Sequence, residues 1–175
     1  MSMNEYLIYG YGGHAIVISE GVKLIGGIVN GYFDDNKSEN FKNSFISSYN
    51  PNHFPNSPVL IAIGNNEIRM RVSRLIKHNY GVFIHPKAII AEGVEIGEGT
   101  VVLAGAVIQP GVKIGKHVII NANVVLDHGS VINNFCSIYP NSYIGSNTVL
   151  CEGVTINACT SIQRNSILNH WTTVG

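Results

Sequence analysis

Residues 84–119, written in sixes, read IHPKAI IAEGVE IGEGTV VLAGAV IQPGVK IGKHVI. Each six opens on Ile or Val. The column continues through Ile120, Leu126, Ile132, Ile138, Ile144, Leu150, Ile156, Ile162 and Leu168. Four residues after each stands a small or β-branched residue, from Ala88 and Val94 through Ser130, Cys136 and Ser142 to Thr172. A period of six is neither helical nor a simple strand alternation. A short strand and a bend every six residues return the same side chain to the interior. Three such faces close a triangular coil of eighteen residues, so residues 84–173 hold five coils. Large aliphatics then stack eighteen apart, as in Ile84, Val102, Ile120, Ile138 and Ile156. Each stabilises by roughly 1.5–3 kcal/mol when fully buried. The small residue marks the bend, and Gly97, Gly115 and Gly145 suit the tight turns.

Ahead of the solenoid the pattern changes. Tyr6–Tyr9 is an apolar strand, followed by Gly10-Tyr11-Gly12-Gly13-His14-Ala15 and a helix over 14–24. A second strand covers 25–33 and ends at Asp34-Asp35. Residues 36–57 are Asn- and Ser-rich and read as loop. Val59–Ile63 is a third strand, and Glu67–His78 an amphipathic helix with Ile68, Val72, Leu75 and Ile76 on one face. The domains are therefore an α/β unit over 1–80, Rossmann-like and built on βαβ, and a parallel β-helix over 84–175.

Composition narrows the function. The chain has 175 residues with 11 basic and 11 acidic side chains, without the basic footprint of a nucleic-acid binder. No apolar run approaches the ~20 residues of a membrane span, and no signal segment opens the chain. Three cysteines without metal-ligand spacing suit a reducing compartment, so a cytoplasmic location is expected. No His-x4-His pair occurs, and no metal is expected. The Gly10-x-Gly12 turn with acids some twenty residues on suits a nucleotide, but the solenoid offers no dehydrogenase chemistry.

The segments Ile8–His14, Phe33–Asp35 and Ile61–Arg69, with the hexads around Asp127-His128, resemble the bacterial nucleotide-sugar acetyltransferases of the hexapeptide-repeat family. The likeness is nearest to UDP-4-amino-sugar N-acetyltransferases. It implies a left-handed β-helix and a homotrimer with active sites between neighbouring solenoids. It also implies acetyl transfer from acetyl-CoA to the amine of a UDP-linked 4-amino-4,6-dideoxy sugar. Gly12, Gly13, His14, Asp34, Asp35 and Gly64 would hold that substrate, and Ser137, Gly145 and Ala158 the acetyl-CoA. O-acetylation of a sugar hydroxyl, and an inactive nucleotide-sugar-binding homologue, are the alternatives.

His128 is the expected general base. It is third in its hexad, at neither inward position, and imidazole titrates near neutrality. The family places an acid directly after this histidine, where Gly129 stands here. Asp127 is the substitute orienter. The family's second histidine is replaced by Ser137, and the chain stops about one coil before its relatives.

Overall fold

The computed structural model describes residues 5–35 and 46–175. Its first layer is a four-stranded parallel sheet of β1 (Glu5–Tyr9), β2 (Ile28–Phe33), β3 (Ile46–Ser47) and β4 (Val59–Ile61), in the order β3-β2-β1-β4. Helix α1 (Gly13–Leu24) follows β1, and α2 (Asn66–Ser73) follows β4. The strands are near-continuous apolar runs because the sheet is covered on both sides. Ile8 and Leu60 face the cluster holding Ala15, Ile18 and Val22 of α1. Leu7, Tyr9, Val59 and Ile61 face Phe33, Val72 and Ile76.

Two sequence expectations change here. The 36–57 loop contains β3, which pairs Tyr32 with Ile46; residues 36–45 of that loop lie outside the described residues. Helix α2 is shorter than 67–78 and is turned differently. It buries Asn66, Arg69 and Val72, while Ile68 is 43% exposed; Leu75, just past its end, is 65% exposed. Apolar spacing placed Val72 and Ile76 correctly but Ile68 and Leu75 wrongly, because the helix also docks through polar side chains.

From Phe83 to Val174 the chain forms sixteen two-residue strands in three parallel sheets of five, six and five strands. Every strand pairs with one eighteen residues away, as Phe83 with Val101 and Val107 with Val125. This is the left-handed β-helix of about five turns. The inward columns are the two read from sequence. Val102, Ile108, Ile114, Ile120, Leu126 and their successors to Ile162 form one buried cluster with Ala106, Val112, Val118 and Val124. Ile84 lies at the first coil and is 38% exposed.

The small column has a second use. At four of its polar positions the side chain reaches a carbonyl fifteen residues on. Thr100 Oγ1 donates to Gly115 O, Ser142 Oγ to Asn157 O and Thr148 Oγ1 to Gln163 O, at 2.8–3.0 Å. Cys136 Sγ does the same to Cys151 O. A buried hydroxyl without such a partner costs free energy.

The bends rest on a third column that the sequence reading did not separate. Every sixth residue from Gly93 to Trp171 has positive φ, including His117, Asn123, Gly129, Phe135 and Gly153. The left-handed conformation belongs to these positions and favours Gly and Asn. Gly97, Gly115 and Gly145 are not among them. A Cβ at each would lie 2.5 Å from the next coil, so they are small to let coils approach.

The two units meet on the six-stranded face. Its outward residues Phe83 and Val101, with Leu103, join the α1 cluster. Gly21 of α1 makes room for this contact, since a Cβ there would lie 2.5 Å from the Phe83 ring.

Candidate functional site

The carboxyl ends of β1, β2 and β4 converge on one edge of the N-terminal sheet, the usual place for a ligand in an open α/β sheet. Gly10 has φ +103° and lies against Ala62, where a Cβ would touch the carbonyl at 3.0 Å. Gly12 caps α1 without a side chain, leaving the helix start open. A Cβ on Gly12 or Gly13 would meet nothing within 4 Å, so both face open space. Helix starts with free N–H groups favour anions. Asp34 Oδ2 accepts from Tyr11 N at 2.9 Å, and Asp35 accepts from the Tyr9 hydroxyl and Tyr49 N. The structure thus brings Gly12, Gly13, Asp34 and Asp35 to one edge.

His14 turns from the start of α1 toward the solenoid. With Gly64, Ile119, Asn121, Ser137 and Tyr139 it lines a cleft of about 110 Å³. Its Nε2 is buried and has no hydrogen-bond partner among the described residues. Burial, and then the nearby Arg69 charge, lower its pKa to about 4, so the ring is neutral at pH 7. The sequence reading gave neither Asn121 nor Tyr139 a role in the site. They stand eighteen apart, directly after strands of the six-stranded face, and that spacing could have linked them.

Beneath this cleft lies Arg69, fully buried. Its Nε donates to His117 O at 2.9 Å, and Nη1 to Ile63 O and Gly64 O at 2.7 and 3.1 Å. Nη2 reaches Asn66 Oδ1, Phe135 O and Ser137 Oγ at 2.7, 2.9 and 3.1 Å. Asn66 Nδ2 in turn donates to Gly153 O and Thr155 Oγ1, and Ser137 Oγ to Asn66 Oδ1. A planar fork with five N–H donors meets these six oxygens by sharing some hydrogens between two acceptors. Burial lowers its pKa to about 10, which still leaves it charged at neutral pH. The network fixes α2 to the solenoid and holds the Gly64 carbonyl at the cleft. Ser137, expected on acetyl-CoA, has its hydroxyl committed to Arg69 and Asn66.

His128 lies elsewhere, at a bend between two other faces, with its side chain 64% exposed. Its Nδ1 is 2.9 Å from Asp127 Oδ1, which also accepts from the His128 amide at 2.7 Å. Asp127 Oδ2 accepts from the Tyr143 hydroxyl at 2.7 Å. These contacts hold the Asp127 carboxyl below its ordinary pKa, the Tyr143 bond contributing most, followed by the His128 amide and ring. A carboxylate at Nδ1 selects the Nδ1–H tautomer and leaves the Nε2 lone pair for proton abstraction. A shallow groove of about 740 Å³ runs past it, lined also by Ser146, Gln163 and Arg164.

Gly129 explains why the acid does not follow the histidine. Its φ is +67°, and a Cβ would lie 2.4 Å from Asn147 Oδ1. Gly145 is at a bend beneath the Arg164 backbone, and Ala158 is exposed at a different bend. Ser137 lines the cleft at His14, whereas Gly145 and Ala158 line neither that cleft nor the groove at His128. Nor do the cleft at His14 and the groove at His128 share a lining residue.

Two family models match. The PglD N-terminal domain covers residues 5–76, and the GMPPB C-terminal domain residues 78–173. A 53-residue segment, 29% of the chain, is 40% identical to UDP-N-acetylbacillosamine N-acetyltransferase from Bacillus subtilis (strain 168); it spans 24% of that protein. Among solved structures, the acetyltransferase domain of PglB from Neisseria gonorrhoeae FA1090, in complex with acetyl coenzyme A, is 22% identical. The match covers 98% of this chain and 96% of that one at a TM-score of 0.73. A mutant perosamine N-acetyltransferase from Caulobacter crescentus, in complex with CoA and GDP-perosamine, is 24% identical. There the coverage is 99% and 90%, at a TM-score of 0.74. The GMPPB C-terminal domain model covers more than half of the chain, so the chain belongs to that family, with a match to the PglD N-terminal domain ahead of it.

Proposed function

We propose that the protein transfers an acetyl group from acetyl-CoA to the amine of a UDP-linked 4-amino-4,6-dideoxy sugar, with His128 as general base. The observation that carries this reading is the Asp127–His128 pair, whose geometry leaves Nε2 open in a groove. The family supports the reaction class. The sugar nitrogen attacks the thioester carbonyl, and Nε2 takes its proton. The tetrahedral intermediate collapses, the C–S bond breaks, and the CoA thiolate recovers a proton from the imidazolium. The Gly12-Gly13 turn would face the diphosphate, Asp34 or Asp35 the nucleoside, and His14 and Gly64 the sugar. Gly145 and Ala158 would lie along the acetyl-CoA.

The active form is a homotrimer in this reading. Ile89 (65% exposed), Val107, Val125 and Tyr143 form an apolar outward row on a face that the N-terminal unit leaves uncovered. Covering it with a neighbour would bring one subunit's His128 to another's crevice, joining two half-sites that lie apart in a single chain. No helix among the described residues is long and apolar enough to cross a membrane. The three free thiols and the use of acetyl-CoA support a cytoplasmic location.

The test is incubation with acetyl-CoA and a panel of UDP-, dTDP- and GDP-linked 4-amino sugars, reading thiol release and product mass. The expected result is one thiol per N-acetylated UDP-sugar. Release only with a GDP- or dTDP-sugar would correct the nucleotide. Acetylation only at a hydroxyl would correct the acceptor. No release from any amino sugar would overturn the assignment.

A further inference from the structure

We infer that Tyr143 is a positioning residue for the base, holding Asp127 so that His128 keeps its Nδ1–H tautomer. The inference rests on the reading of His128 as the base. An acid next in sequence to the histidine it serves is poorly placed by the backbone alone. Asp127 and His128 occupy consecutive positions of a bend, and the carboxylate can rotate away into solvent. The Tyr143 hydroxyl prevents that rotation. It binds Oδ2 at 2.7 Å, leaving Oδ1 for the His128 amide and Nδ1. Both carboxylate oxygens are then committed, and their directions fix the ring.

The fold supplies this third member. Tyr143 pairs with Val125 on the neighbouring coil, so its side chain projects outward one coil from Asp127. An acid directly after the histidine would sit at a left-handed bend and press on the Asn147 side chain. An acid before it and a tyrosine one coil on replace that arrangement. Among the described residues, Tyr143 and His128 are the side chains that bond the Asp127 carboxylate. Arg164, the nearest cation along the groove, lies two coils on and forms no ion pair with it.

Tyr143→Phe keeps the ring in its apolar row and removes only the hydroxyl. It should lower kcat about tenfold, as loss of an orienting hydrogen bond does, with KM for both substrates little changed. In an Asp127→Asn background the same change should have almost no further effect, because the two act in one chain of contacts. The direct readout is the ¹⁵N spectrum of the His128 ring in its neutral form. In the wild type it should show Nδ1 protonated and Nε2 bare; in Tyr143→Phe, a mixture of tautomers. This spectrum is read on each variant whatever its oligomeric mass. Unchanged tautomer and kcat in Tyr143→Phe would overturn the inference, as would additive losses in the double variant. If His128→Ala keeps full turnover while the tautomer shifts as described, the positioning stands and the base assignment fails.

Discussion

The molecule holds two polar clusters built on opposite plans. Around Arg69, a charge is sealed away from water and surrounded by oxygens from both units. Around His128, three residues stand on the surface with few contacts. The first arrangement holds a cleft in shape and leaves Arg69 no capacity to exchange protons near neutrality. The second leaves a ring nitrogen exposed. In the proposed reading, recognition belongs to the rigid region and chemistry to the exposed bend.

That contrast predicts different failures. His128→Ala should lower turnover by roughly 10²–10⁴, with thermal stability and oligomeric mass unchanged, because an exposed ring contributes little to the core. Near-wild-type turnover would put the base elsewhere. Arg69→Ala should act the other way, destabilising by about 3 kcal/mol as several buried oxygens lose their partner. Urea unfolding measures this. Arg69→Lys should recover only part of it, since an ammonium cannot reproduce the fork. A neutral Arg69→Ala would show that water replaces the guanidinium at no cost.

Gly129→Glu should cost about 1–3 kcal/mol from the left-handed backbone conformation, with further strain against Asn147, and should not raise the rate. A stable, faster variant would show that the bend can relax to accept the family's acid. The smallest effect concerns pH. His14 and His117 both have pKa values lowered to about 4, chiefly by burial, from an ordinary 6.5. Between those values the unfolded chain binds protons that the folded one does not, so stability falls as pH drops from about 6.5 toward 4. His117→Asn, which suits a positive φ, should flatten that slope in thermal melts. An unchanged slope would show that His117 is already protonated in the fold.

The solenoid was legible because its two inward columns are chemically uniform. The bend column was not separated, because Gly93, Gly99, Gly105 and Gly111 give way to His117, Asn123, Phe135 and Trp171. Residues of such different kinds share only a backbone conformation. Helix α2 was misread for a related reason. Hydrophobic spacing ranks Ile68 and Leu75 as buried and Arg69 as exposed, whereas a line of unpaired carbonyls on the solenoid reverses the order. Asp127 could be named as an orienter from its neighbourhood, but Tyr143 could not. Its hydroxyl reaches Asp127 from sixteen residues away, through a coil geometry that the period alone does not fix.

The central claim is that His128 and the nucleotide-sugar crevice work together across a subunit boundary. Mixed trimers test it most directly. His128→Ala lacks the base, and Gly13→Val should obstruct the crevice while folding normally, since a Cβ there meets open space. Each homotrimer alone should be nearly inactive. Refolded together in equal amounts, they should regain about a quarter of wild-type turnover, because a quarter of directional interfaces then join two intact halves. No recovery in verified mixed trimers would contradict the shared site.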